Sequence, residues 1–174
     1  MKILVFSDVH GREDRVRDLI SLHRTADAVL FLGDGLRDLP DSIRYGSWLF
    51  AAVRGNCDLL WGSPTDLSIP NEQLLRFGSY TVMMTHGHLH GVKGGIDGAI
   101  QAASQRGADL LLYGHTHVPE ERYLPEGTVV GDLTLPKPLW VMNPGSLGVP
   151  RDGQPSYGLI QIQNNQLLLS HGTI

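Results

Sequence analysis

Lys2-Ile3-Leu4-Val5-Phe6-Ser7-Asp8-Val9-His10 begins as a short, nearly unbroken apolar run and then turns abruptly polar. A run of that length is expected of a strand buried on both faces, as in sheets covered by helices. From Arg12 to Arg24 the period changes. Val16, Leu19, Ile20 and His23 or Leu22 recur at i, i+3, i+4, i+7 with charges opposite, the pattern of an amphipathic helix. A second apolar run, Ala28 to Leu32, ends at Gly33-Asp34. Strand, helix and strand in succession make a βαβ unit and place the fold in the α/β class.

Outward from that unit the alternation continues, with a candidate helix over Leu36 to Tyr45 and a strand over Trp48 to Val53 that ends in Arg54-Gly55-Asn56-Cys57-Asp58. Gln73 to Phe77 and Tyr80 to Thr85 flank Gly78-Ser79, a two-residue hairpin signal, and the second run leads into His86. Ile96 to Arg106 is helical by its Ala and Ile spacing and stops at Gly107; Asp109 to Tyr113 is a buried strand ending at Gly114-His115. The last third reads as β, over Val129 to Leu133, Leu139 to Met142, Tyr157 to Gln163 and Gln166 to His171, with Asn164-Asn165 as a tight turn. No repeat or linker interrupts this order, so residues 1–174 are expected to form a single domain.

Composition excludes several classes. A hydrophobic share of 41% with 18% charged residues is that of a globular protein rather than a disordered one. A formal net charge of -4 gives no general attraction to polyanions, so no nucleic-acid partner is expected. No stretch approaches the ~20 apolar residues needed to span a bilayer, so no membrane partner is expected either. The lone Cys57 cannot form an internal disulfide, and Ser7-Asp8 arrives too early for a signal-peptide core; a cytoplasmic location is expected. Homo-oligomerisation is left open, and Trp48 and Trp61 read as packing or interface residues.

Five strand ends in succession deliver polar residues into loops: Asp8-Val9-His10, Gly33-Asp34, Gly55-Asn56, Thr85-His86 and Gly114-His115-Thr116-His117. Residues placed just after parallel strands converge along one sheet edge, so one crevice could hold them all. Taken singly, each has a bland explanation, since Asp and Asn beside glycine shape turns and caps. Together they offer two carboxylates, one amide oxygen and four imidazoles, too many donors for one ion. Mixed imidazole and carboxylate donors suit Mn, Fe, Zn, Co or Ni rather than Mg or Ca. With one carboxylate bridging, two ions could sit ~3.5–4 Å apart, the arrangement used for in-line displacement at phosphorus. His23 and His171 are read as helix-face or surface residues, the arginines of the first helix as a solvated face, and His88 and His90 are left unassigned.

DVH, GD, GNCD, THGH and GHTH, in this order over positions 8 to 117, resemble the calcineurin-like metallophosphoesterases. The run Asn143-Pro144-Gly145-Ser146-Leu147-Gly148-Val149-Pro150-Arg151 resembles the corresponding segment of their small bacterial and archaeal phosphodiesterase branch, which contains YfcE-like proteins. The resemblance implies a β-sandwich of two mixed sheets flanked by α-helices. It also implies that Asp8, His10 and His117 hold one divalent ion and Asn56, His86 and His115 the other, with Asp34 bridging, Mn being common in the family. A hydroxide between the ions would then attack a small-molecule phosphodiester.

Many relatives carry histidine after the motif asparagine, where this chain has Cys57. In those relatives the histidine and the following acid serve the leaving oxygen; here Asp58 remains without that partner. A thiol is a poor substitute for an imidazolium, so Asp34, Asn56, Cys57 and Asp58 are taken as the catalytic group of an enzyme that favours diesters. The alternative from another class is a Vps29-like protein-interaction scaffold that retains metal binding; a nuclease would be expected to show a basic track, and none is evident.

Overall fold

In β1 (Lys2–Phe6) successive side chains fall on opposite faces, so Ile3 and Val5 enter one apolar cluster while Leu4 and Phe6 enter another. Both faces are buried, which is why the run is continuous rather than alternating. The structure, a computed structural model, describes residues 1–59 and 68–174; Trp61 lies outside the described residues.

β1 is the centre of a five-stranded mixed sheet. On one side it pairs in parallel with β2 (Ala28–Phe31), which pairs in parallel with β3 (Leu49–Ala52). On the other it is antiparallel to β11 (Ser156–Gln163), and β12 (Gln166–Thr173) forms the edge. A second five-stranded sheet runs in the order β4 (Glu72–Phe77), β5 (Tyr80–Thr85), β6 (Leu110–Leu112), β10 (Leu139–Pro144) and β7 (Pro119–Leu124). Its three central strands are parallel and its outer pairs antiparallel. A small ribbon pairs β8 (Val129–Val130) with β9 (Leu133–Thr134).

The inner faces close on each other, with Ile3, Val5 and Leu30 sharing a core with Val82, Met84 and Leu112. Outside the first sheet, α1 (Glu13–Leu22) lays Val16 and Leu19 in a cluster with Leu4, Phe6 and Phe31. Outside the second, α3 (Asp97–Gln105) does the same with Ala99, Ile100 and Ala103 against Met83, Leu111 and Val141. The expected α/β sandwich of two mixed sheets with flanking helices is what forms. Among the described residues no helix is long and apolar enough to cross a membrane.

Two local expectations are corrected and one strand is added. The helix over Leu36 to Tyr45 is split into a 3-10 turn (Leu36–Asp38) and α2 (Asp41–Arg44), because Pro40 cannot continue a helix through its own position. β7 stands where the sequence reading assigns no element. Its Glu120, Glu121 and Arg122 hide a strand that lies at the sheet edge, where charge is tolerated. His23, read with the helix face or surface, is buried edge-on against Tyr157, with ring centroids 4.9 Å apart, while Leu22 is exposed. Trp48 does pack, donating its indole N–H to the Ile43 carbonyl at 2.8 Å.

Candidate metal centre

The carboxyl ends of β1, β2 and β3 from one sheet and of β5 and β6 from the other meet at one rim of the sandwich. Asp8 and His10 follow β1, Asp34 follows β2, Asn56 follows β3, His86 follows β5, and His115 and His117 follow β6. The loops are stitched together through the backbone. Asp8 N donates to Gly33 O at 2.9 Å, Val9 N to Asp34 O at 2.8 Å, and Gly114 N to His86 O at 3.2 Å.

Asp8, His10, Asp34, His115 and His117 all have positive φ, between 43° and 69°. Among the described residues the other non-glycine residues with positive φ are Asn164 and Asn165, in the expected hairpin turn. A left-handed residue bearing a side chain costs of order 1–3 kcal/mol and persists where the surroundings over-determine it. Here the strain turns side chains toward a common centre. Close approach also explains a glycine: a Cβ at Gly55 would lie 2.0 Å from Asp34 Oδ1.

Ligand atoms of Asp8, His10 and His117 lie within 4.8 Å of one another, and so do those of Asp34, His86 and His115. Asp34 joins the two sets, its Oδ2 lying 3.4 Å from His86 Nε2 and 3.9 Å from His10 Nε2. Ligand atoms of a third set, His10, Asp34 and Cys57, also lie within 4.8 Å of one another. Asn56, at the mouth of β3, has a buried Oδ1 with no hydrogen-bond partner, while its amide nitrogen contacts Cys57 Sγ at 3.3 Å.

The donor chemistry fits cations. His86 Nδ1 is 2.8 Å from Leu32 O and His117 Nδ1 is 2.7 Å from Val149 O. With Nδ1 donating there, each Nε2 is left facing the centre, where it can carry a proton or offer a lone pair to a cation. His117 Nε2 then faces the buried Asp8 Oδ1 at 3.1 Å, a contact that needs a proton or a cation between the two atoms. His86 Nε2 likewise faces His115 Nδ1 at 3.1 Å, and His10 Nε2 faces His117 Nε2 at 3.3 Å. Each of these close contacts is satisfied by a proton or a metal ion between the two atoms.

Electrostatics follow the same geometry. Burial acts to raise the Asp8 carboxyl pKa, but the flanking His10 and His117 rings and the His86 charge outweigh it and hold it well below the usual carboxylate range. Burial opposes the ionised form of Asp34 too, yet His86 and the Cys57 N–H bring it down to about 2. His10 is raised chiefly by Asp8; His86 is lowered by burial but raised more by Asp34 and Asp8. His115 is lowered to about 4 by burial and by the positive charges of His86 and Lys93. Burial and the neighbouring Asp34 push the Cys57 thiol up to about 11.

Asp58 departs from its expected place beside a leaving group. It is buried, and its carboxylate accepts four backbone N–H groups: from Asp34 and Gly55 on one oxygen at 2.9 and 2.8 Å, and from Gly35 and Leu36 on the other at 2.8 and 2.9 Å. A carboxylate has about four lone-pair sites. All are used in bracing two ligand loops, so Asp58 is a positioning residue with no capacity left to orient a group at Cys57. Cys57 does reach the centre, its sulfur lying within 4.8 Å of donors from His10 and Asp34.

Sequence reasoning missed the supports. Ser146 Oγ donates to Asp8 O at 2.8 Å, Gly148 N to the same carbonyl at 2.9 Å, and Asn143 Nδ2 to Gly114 O at 3.0 Å. Arg15, read as one of several solvated arginines, reaches back to Gly148 O at 3.1 Å. The resemblance at residues 143–151 was the only signal for these contacts. Of the unassigned histidines, His90 pairs with Glu72, whereas His88 stacks near His86 with centroids 5.4 Å apart.

Residues 1–165 match the calcineurin-like phosphoesterase superfamily domain. The probable metallophosphoesterase YsnB of Bacillus subtilis is 29% identical over 167 residues, covering 95% of this chain and 86% of that protein. Phosphodiesterase YfcE of Escherichia coli K12 is 29% identical over 182 residues, covering 92% and 87%. Among solved structures, a predicted phosphoesterase from Streptococcus pneumoniae TIGR4 superposes with a TM-score of 0.74 at 28% identity over 99% of this chain and 88% of that one. Vps29 of Chaetomium thermophilum reaches 0.74 at 20% identity over 98% and 86%, a likeness of fold alone. With the family's domain matched over nearly its whole length, this chain belongs to the calcineurin-like phosphoesterase superfamily.

Proposed function

We propose that the chain is a cytoplasmic phosphodiesterase acting on a small molecule with two divalent cations. Asp8, His10 and His117 would hold one, Asn56, His86 and His115 the other, and Asp34 both. The observation that carries this is the pair of three-donor groups, joined at Asp34, whose ligand atoms face one another at the rim. Cations bound there would acidify a water nucleophile and offset the charge that builds on the phosphoryl oxygens.

Orientation is the protein's own contribution. The Leu32 and Val149 carbonyls fix the tautomers of His86 and His117, and Asp58 holds the Asp34 and Asn56 loops in register. Where many relatives carry histidine this chain has Cys57, a thiol whose pKa burial and Asp34 push up to about 11. It is a weak proton donor to a departing alkoxide, which suits diesters of acidic alcohols over alkyl monoesters. Mn is the ion we propose, with Zn, Fe, Ni and Co as alternatives of similar donor preference.

The competing scaffold role shares the fold, but seven competent donors favour catalysis. The test is a matrix of metals against aryl diesters, aryl monoesters, cyclic nucleotides and dinucleotides on metal-stripped protein. Turnover restored by Mn, fastest on a diester and lost by orders of magnitude in Asp34→Asn, is expected. Cation binding with no turnover on any ester would leave the scaffold.

A further inference from the structure

We infer that the cavity between residues 92–97 and the start of β7 is the subsite for one organic arm of the diester; this rests on the phosphodiesterase reading above. Two cavities flank the donor cluster. One of about 510 Å³ is lined by His10, Gly35, Arg37 and Cys57 and so opens on the candidate centre itself. The other, about 520 Å³, has Val92, Lys93 and Ile96 on one wall and Val118, Glu120 and Arg122 on the other. Thr116, which stands between His115 and His117, also lines it, so this second cavity begins at the ligand loop. Pockets for small organic groups run from ~300 to 1,000 Å³, so each cavity has room for an aryl or nucleoside-sized group. A monoester has one alcohol arm and a diester two; one cavity includes donors of the centre, and the other, of nearly equal size, starts at the residue between His115 and His117.

The second cavity's chemistry narrows what it takes. Its formal charges cancel, with Lys93 and Arg122 against Asp97 and Glu120. Glu120 is already engaged, accepting from the Tyr113 hydroxyl and pairing with Arg122, so its carboxylate is not free for a cation. Val92 and Ile96 are buried and give the floor an apolar face. Among the described residues Lys93 has no ion-pair partner and is exposed at the rim. A neutral, partly apolar arm whose hydrogen-bond acceptors meet Lys93 fits these walls: an aromatic ring or nucleoside, rather than a second phosphate. The walls are held in place, since Asn143 Nδ2 donates to Thr116 Oγ1 at 3.0 Å.

The probe compares bis(p-nitrophenyl) phosphate with methyl p-nitrophenyl phosphate on Mn-loaded protein, and diphenyl phosphate binding followed by Val and Ile methyl NMR on metal-free protein. Val118→Trp, at a part-exposed position, fills the cavity. It should lower the ratio of kcat/KM for the bis-aryl over the methyl ester by ~10-fold or more, mainly through KM. Diphenyl phosphate should shift the Val92 and Ile96 methyl resonances in wild type and not in the variant. Lys93→Ala, which asks nothing of the core, should lower the same ratio in the same direction. An unchanged ratio in both variants, or no methyl shifts in wild type, overturns the subsite while leaving the phosphodiesterase reading standing. Failure of wild type to cleave either ester sinks that reading and the subsite together.

Discussion

Replacing Asp58 by Asn separates a braced loop from a catalytic acid. The substitution keeps the shape but leaves one accepting oxygen where there were two. Whichever way the amide lies, its NH2 faces two backbone N–H donors, either Asp34 and Gly55 or Gly35 and Leu36. Two buried donors lose their acceptor, at roughly 1–3 kcal/mol each, so the expected cost is about 2–6 kcal/mol. At about 2–4 °C per kcal/mol for a chain of this length, the melting temperature of metal-free protein should fall on the order of 10 °C. Asp34 and Asn56 would lose their register with it, so affinity for Mn should drop while the pH dependence of the remaining turnover keeps its shape. Thermal melts, a metal titration and a pH–rate profile decide the matter. A melting temperature within about 2 °C of wild type, with activity lost and one limb of the pH profile gone, would refute the bracing role and restore Asp58 to the chemistry.

Asn56→Ala removes a buried oxygen without a partner, so metal-free stability should hardly change; saturation with the second cation should need far more metal and turnover should fall by orders of magnitude, as calorimetry and kinetics would record. Cys57→His should narrow the preference for an aryl diester over its monoester, measured as kcat/KM at matched metal occupancy, but modestly, because the saturated Asp58 cannot orient the new ring. An unchanged ratio would remove Cys57 from the account of specificity. His23 is buried with both ring nitrogens unpaired, and burial lowers its pKa. The folded state therefore resists the proton that the unfolded chain accepts near pH ~6.5, and stability should fall as pH drops below that value. In His23→Phe that slope, read by denaturant melts of metal-free protein, should flatten.

Much of the fold was legible because β1 and β2 are buried on both faces and appear as apolar runs, while the Gly78-Ser79 turn marked β4 and β5; β1, β2, β4, β5 and β11 were located to within a residue or so. β7 escaped because an edge strand can be built from Glu120, Glu121 and Arg122 without violating any burial rule. The donors were legible as a set because each follows a strand, and parallel strands bring their ends together whatever lies between. Asp58 was misplaced for a related reason. Its position beside Cys57 is a fact of sequence, but the direction of its carboxylate depends on N–H groups of residues 34–36, more than twenty positions away. Ser146 and Arg15 were hidden in the same way, since both act on carbonyls across the fold and leave no local periodicity.

β1 carries Asp8 and His10, yet its antiparallel neighbour is β11, with Lys2 opposite Gln161 and Val5 opposite Gly158. β1 thus gains its second flank only when β11, far along the chain, is in place. Until then its outer edge is open, and the loop after it lacks the Ser146 and Gly148 contacts as well. Completion of the loop that carries Asp8 and His10 is accordingly governed by long loop closures rather than by local folding. A chain halted at residue 150 would possess all seven donors and still leave the β11-facing edge of β1 unpaired. Its amides from Lys2 to Phe6 should exchange with solvent far faster than in the full chain, and added Mn should not restore their protection.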